Sequence, residues 1–164
     1  MKNPALSHLV DLIIEEQRRK YPNVPERLLP KPNTFATAKP ERKELRRIVT
    51  FINSSGGIAS ITDSSAKRID NRKTYTDSVG FTRTIGSVTF VKNNDFTRGH
   101  SDITATWHGK PLFIELKRID GKYKDRQSSY QKDFEQNVTE AGATYVIVSS
   151  FDTFYEWATN NNLI

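Results

Sequence analysis

Asp102, Glu115 and Lys117 lie within GHSDITATWHGKPLFIELKR, residues 99 to 118, whose apolar alternation otherwise describes two strands joined at His108-Gly109. Strands disfavour Asp, Glu and Lys, so all three need a reason to be there. With a two-residue turn, in which Gly109 supplies a positive φ, facing residues have numbers summing to 217, and Asp102 faces Glu115. Ile103, Ala105 and Trp107 then share one face with Leu112, Ile114 and Leu116, while Asp102, Thr104 and Thr106 share the other with Phe113, Glu115 and Lys117. Two carboxylates about 5 Å apart repel unless a cation sits between them. Two carboxylates with waters and a substrate phosphate suit Mg²⁺. Lys117 emerges on the same side, where an ammonium can orient an attacking water or meet the charge that develops on phosphorus. The chemistry this set suits is hydrolysis of a phosphodiester. Acid-x-Lys is common by chance, and on that feature alone a solvated sheet face with Lys117 as a surface countercharge is the better reading. The register argues the other way.

The elements that must position these residues are legible in outline. ALSHLVDLIIEEQRRK sets Leu6, Leu9, Val10, Ile13 and Ile14 on one helical stripe. A connector with five prolines in twenty residues follows and is expected to be extended and to wrap or tether, so residues 1–40 read as an amphipathic helix and an arm, with dimerisation one use open to it. A second domain-opening helix begins at Glu41, with Leu45, Ile48, Val49 and Ile52 on its apolar face, and the catalytic domain is expected over 41–164. From Ile58 to Val91 short β-type stretches, GIASI, VGFTRTI and GSVTFV, are separated by SSAKRIDNRKTYTD, in a region that reads as partly irregular. Residues 67–98 carry seven Lys or Arg against three Asp, a basic surface. After the hairpin, RQSSYQKDFEQNVTEAGA predicts a helix, TYVIVSS a buried strand and SFDTFYEWA a final helix. This order implies an α/β domain with a mixed central sheet flanked by helices.

The chain has 164 residues, enough for one domain with a sizeable core, and its net charge of +6 favours a polyanionic partner such as nucleic acid. It has no cysteine, which excludes disulfides and thiolate metal sites and suits a reducing, cytoplasmic setting. No apolar run approaches membrane-spanning length, and no signal-like segment opens the chain.

RGHSDITATWHGKPLFIELKR followed by DRQSSYQ resembles the PD-(D/E)xK nuclease superfamily, and within it the VRR-NUC family of virus-type replication and repair nucleases. The matching residues are Gly99, Ser101 and Asp102, then Glu115 and Lys117, then Ser128 and Gln131, with Ser101 standing where the family often has proline. AGATYVIVSSFDTFYEW is similar to the family's closing glycine, apolar strand and last helix, so the likeness spans roughly 41–157 and leaves the N-terminal segment unexplained. It implies a restriction-endonuclease-like core and a metal-dependent endodeoxyribonuclease. Asp102, Glu115 and the carbonyl of Leu116 would hold Mg²⁺, for which Mn²⁺ substitutes, and Lys117 with Gln131 would place the water. Cleavage would leave a 5′ phosphate and a 3′ hydroxyl. Ser128-Ser129-Tyr130-Gln131 is equally a helix capping box, and on spacing alone that role for Gln131 is favoured. Relatives often add an acid from the first helix of the domain, for which Glu44 is the best placed, with Glu41 one turn earlier.

Small stand-alone members are often phage-encoded and act on branched DNA as homodimers, so a structure-selective enzyme on Holliday-junction-like DNA is expected. Arg98, His100, Arg118, Lys122, Lys124 and Arg126 flank the site and are candidates for backbone contacts to DNA. Of the other histidines, His108 belongs to the turn and His8 to the first helix; one histidine near acids is no metal motif. Two other readings remain open: a binding module of the same fold without turnover, and a restriction-type enzyme that reads a base sequence.

Overall fold

In the computed structural model, residues 3–62, 67–91, 97–117, 119–120, 123–124 and 126–164 are described. Helix α1 (Pro4–Lys20) starts because the Asn3 side chain accepts from Leu6 N–H at 3.1 Å and Pro4 occupies the first turn, where an amide would have no partner. Arg18, Arg19 and Lys20 close it, favourably placed at the negative end of its dipole. Helix α2 (Pro40–Ser54) buries Leu45, Ile48, Phe51 and Ile52. Strand β1 (Ile58–Ile61) follows, then β2 (Lys67–Asp70), β3 (Lys73–Thr76), β4 (Thr82–Ile85) and β5 (Val88–Val91). The chain continues through β6 (Ile103–Trp107), β7 (Lys110–Leu116), β8 (Ile119–Asp120), β9 (Tyr123–Lys124), α3 (Ser129–Glu140), β10 (Thr144–Val148) and α4 (Phe151–Asn160).

The central sheet has the order β1-β6-β7-β10, antiparallel except for the parallel pair β7 and β10, which α3 joins as a crossover. It is therefore a mixed sheet in an α/β chain. One face is apolar: Ile103, Ala105, Trp107, Leu112, Ile114, Leu116, Val146 and Val148 pack with Leu9, Ile48, Phe51, Phe151 and Phe154 of the helices in one core. Fully burying side chains of this size contributes roughly 1.5–3 kcal/mol each, so this face dominates the stability. On the other face, Phe134 of α3 meets Phe113 and Tyr145, with ring centroids 5.4 and 6.3 Å away.

Three expectations can be set against the packing. Helix α1 is no separate arm: Ala5, Leu9 and Ile13 belong to the same core as α2 and the sheet, so a boundary at residue 40 divides the chain but not its packing. The proline-rich connector holds a single 3₁₀ turn, Glu26–Leu28, and lies against α2, where Arg47 Nε donates to the Thr34 carbonyl and the Arg46 guanidinium sits 5.7 Å from the Phe35 ring. The segment read as partly irregular contains β2 and β3, which pair with β5 and β4. No helix among the described residues is long and apolar enough to cross a membrane.

Candidate active site

The hairpin has the register its turn chemistry demands. His108 and Gly109 both take positive φ, at 50° and 75°, and Trp107 pairs with Lys110, Ala105 with Leu112 and Ile103 with Ile114. Just past the last paired residues, Leu116 N–H donates to Asp102 Oδ2 at 2.8 Å, which draws the aspartate to the strand that carries Glu115. Ser101, buried, holds the approach by donating to the Ile103 carbonyl at 2.9 Å.

Glu115 is 2% exposed. A sheet position that α3 leaves to water would be solvated, but the helix returns across this face and takes the carboxylate out of solvent. Its Oε1 accepts from Lys117 Nζ at 3.0 Å and from Gln131 Nε2, while its Oε2 is buried with no hydrogen-bond partner among the described residues. Lys117 Nζ also donates to Gln131 Oε1 at 3.1 Å. The Gln131 amide is thus oriented by its neighbours, with its NH₂ toward the carboxylate and its oxygen toward the ammonium. Burial, and then the negative charge of Asp102, push the Glu115 carboxyl above the ordinary value of 4.5, against the lowering effect of Lys117.

Gln131 caps its helix and also lies beside Lys117. Its Oε1 accepts from Ser128 N–H at 2.9 Å and Ser128 Oγ accepts from Gln131 N–H, which completes the capping box, and the same side chain bridges Glu115 and Lys117. The cap fixes the first turn of α3 and thereby the amide.

Gly99 sets the distance between this turn and Asp102. It has φ of +80°, and a Cβ there would lie 2.1 Å from the Tyr130 carbonyl oxygen and 2.7 Å from Gln131 N. Gly99→Ala is therefore expected to combine left-handed strain with a backbone clash, about 2–5 kcal/mol in all. Gly109→Ala, with φ of +75° and nothing within 4 Å, carries only the strain, about 1–2 kcal/mol. Thermal melts of the two variants check the difference; equal losses would mean that the close approach to α3 contributes nothing.

The other candidates divide. Glu44 accepts from Phe151 N–H at 2.8 Å through Oε2 and lies 3.5 Å from Lys43 and Arg47 through Oε1, so the structure uses it to cap α4 and to order the start of α2. Glu41 is exposed in the first turn of α2. The His100 ring lies 4.6 Å from Phe134 and 5.8 Å from Phe113, which makes it part of the seat of α3. Arg98 is exposed, its guanidinium 5.7 Å from the Tyr130 ring, and Arg126 is exposed. Arg118 and Lys122 lie outside the described residues; Lys124 is placed only as backbone in β9, paired with Ile119. Leu116 turns its side chain into the core, so its backbone runs between Glu115 and Lys117.

Tyr145 is a neighbour that the sequence reading missed. It pairs with Phe113 and so shares the Glu115 face, its hydroxyl is buried, and burial with the nearby Glu115 charge pushes it well above the ordinary value of 10. Only the parallel register of β10 reveals that position.

Among the described residues no group of three or more His, Asp or Glu forms a ready cage for a metal. The donor set nonetheless fits a divalent cation: a buried carboxylate with one oxygen unpartnered among the described residues, beside a second carboxylate that raises its proton affinity, gains most from a positive charge placed between them. No family model, no curated protein and no solved structure matches the chain.

Proposed function

We propose that the chain is a metal-dependent endonuclease with a restriction-endonuclease-like core, similar to the VRR-NUC family, that hydrolyses phosphodiester bonds of DNA. The observation that carries this reading is Glu115: a carboxylate 2% exposed, bound on one oxygen by Lys117 and Gln131, without a hydrogen-bond partner on the other among the described residues, and set against Asp102. A buried carboxylate set against a second, half-buried one is costly to the fold and calls for a function to account for it.

Asp102, Glu115 and the Leu116 carbonyl would hold Mg²⁺, which when bound supplies Lewis-acid polarisation of the phosphate and a lowered water pKa. Leu116 N–H holds the Asp102 carboxylate in place. Lys117 has three ammonium protons, of which two serve Glu115 and Gln131, so the third is directed at a water or a phosphate oxygen. Gln131, pinned by the helix cap, keeps that ammonium from rotating away. Water then attacks phosphorus and loses its proton to solvent as the bond to the 3′ oxygen breaks and that oxygen is protonated, which leaves a 5′ phosphate.

Branched DNA is the proposed substrate and a homodimer, one site per strand, the proposed working form. Labelled linear, flap, splayed and four-way-junction DNA, incubated with Mg²⁺, Mn²⁺ or EDTA, test the reading together. Metal-dependent cutting of a branched structure is the expected result. Binding without cutting under either metal would leave a silent binding module, and one cut site on linear DNA would make it a restriction-type enzyme.

A further inference from the structure

We infer that β2 through β5 form a β-ribbon that grips the backbone of duplex DNA beside the site. The four strands are one hairpin. Lys67 pairs with Val91, Asp70 with Val88, Lys73 with Ile85 and Thr76 with Thr82, and Asn71 N–H donates to the Ser87 carbonyl at the join, so a single register runs from end to end. Gly86, with φ of +92° and Asn71 O 2.3 Å from where its Cβ would lie, lets the two strands close up at that join. From Lys67 to Thr76 the ribbon reaches roughly 30 Å, close to one turn of duplex.

Its surface does not suit a structure that stands alone in water. Every residue of β3 and β4 is exposed, and Tyr75, Phe81 and Ile85 are 45, 64 and 55% exposed. A two-stranded ribbon without a covering layer is marginally stable, so this one calls for an occupant. Charge identifies it. Residues 67–91 hold five Lys or Arg and two Asp, and both acids are spent within the ribbon. Asp70 accepts from Arg68 at 3.0 Å and Arg72 at 2.7 Å; Asp77 accepts from Arg83 at 2.6 Å and from the amides of Val79 and Phe81. The acids therefore orient the arginines. A second copy of the same ribbon would set Lys73 and Arg83 against their like, whereas a phosphate backbone complements them. A two-stranded ribbon also fits the major groove.

In sequence the ribbon lies between two segments of the site: Thr62, whose N–H donates to the Asp102 carbonyl at 2.8 Å, precedes it, and Thr97 and Arg98, just before Gly99, follow it. The choice of DNA among polyanions rests on the proposed nuclease function; the grip does not depend on turnover.

The test is fluorescence anisotropy of labelled duplex and four-way-junction DNA in EDTA, over a salt series, with the full chain, the triple variant R72Q/K73Q/R83Q, the charge-preserving R72K/R83K and the apolar triple Y75A/F81A/I85A. We expect the charge-removing triple to bind at least about tenfold more weakly, with a shallower salt dependence by about 0.9 per lost phosphate contact, and R72K/R83K to bind near the native level. Unchanged melting temperatures would show that the variants are folded. Native affinity in R72Q/K73Q/R83Q, or no DNA binding by the native chain, overturns the inference. So does an apolar triple that turns a sedimenting dimer into a monomer and leaves DNA affinity intact, since the ribbon is then an interface between copies. If the native chain cuts nothing with any metal while the charge-removing triple still loses binding, the nuclease proposal fails and the ribbon stands. If the native chain cuts and that triple binds and cuts like it, only the ribbon fails.

Discussion

Lys117→Ala is expected to lower the single-turnover cleavage rate by about 10²–10³-fold, with DNA affinity in EDTA within a few-fold of native. Two effects act together. The variant loses the ammonium proton that the proposed mechanism assigns to water or phosphate, and it leaves Glu115 Oε1 with Gln131 as its remaining partner among the described residues. The second effect raises the proton affinity of an already perturbed carboxyl, so the variant should also need more Mg²⁺ for whatever activity it retains. Lys117→Arg is not expected to restore the rate. The side chain at 117 is 12% exposed and fitted between Glu115 and Gln131, a space shaped for a compact ammonium and not for a planar guanidinium. Cleavage by the alanine variant within threefold of native would remove Lys117 from the mechanism and leave it as a countercharge for Glu115.

The hairpin was legible because its information is local. Alternation and a His-Gly turn determine which residues face one another, and the structure has that pairing from Ile103 with Ile114 to Trp107 with Lys110. The burial of Glu115 was not legible, since it depends on α3 crossing back over the polar face and on Phe113, Phe134 and Tyr145 meeting there from three separate elements. An apolar helical stripe such as that of α1 looks the same whether it will pack within its own chain or against another; the five prolines after it suggested an arm, while Leu9 and Ile13 pack in the core. Glu44 carries a contact of the same non-local kind. It was singled out as an acid near the start of a helix, and the amide it serves is 107 positions away at the start of α4, which no local spacing reports. The ribbon was half seen, as weak β signals, because strands exposed along their length have no apolar alternation to betray their register.

Glu115→Gln is expected to make the metal-free protein more stable above the acid range while abolishing its response to Mg²⁺. The folded-state pKa of Glu115 is raised, so the native state binds this proton more tightly than the unfolded chain. Stability from this group is then fully present below the unfolded value, near 4.5, and is lost as pH rises through the folded value, because the unfolded state binds fewer protons over that window. A glutamine has no charge to desolvate, its oxygen still accepts from Lys117 and Gln131, and its NH₂ turns toward the negative Asp102. The melting temperature of E115Q should therefore draw ahead of native as pH rises above about 4.5, on a scale where ~1 kcal/mol is about 2–4 °C for a chain of this size. Mg²⁺ should reverse the order. At a concentration 100 times its dissociation constant it adds about 2.7 kcal/mol to the native protein, about 5–10 °C, and nothing to the variant. Glu115→Ala is the contrasting control: it removes the acceptor as well as the charge, strands Lys117 and Gln131, and should melt below native without metal. Melting curves of the three proteins from pH 4 to 8, with Mg²⁺ and with EDTA, carry the test. An E115Q protein that melts below native at every pH and gains as much from Mg²⁺ would show that Glu115 is a structural partner of Lys117 and that the metal, if any, binds elsewhere.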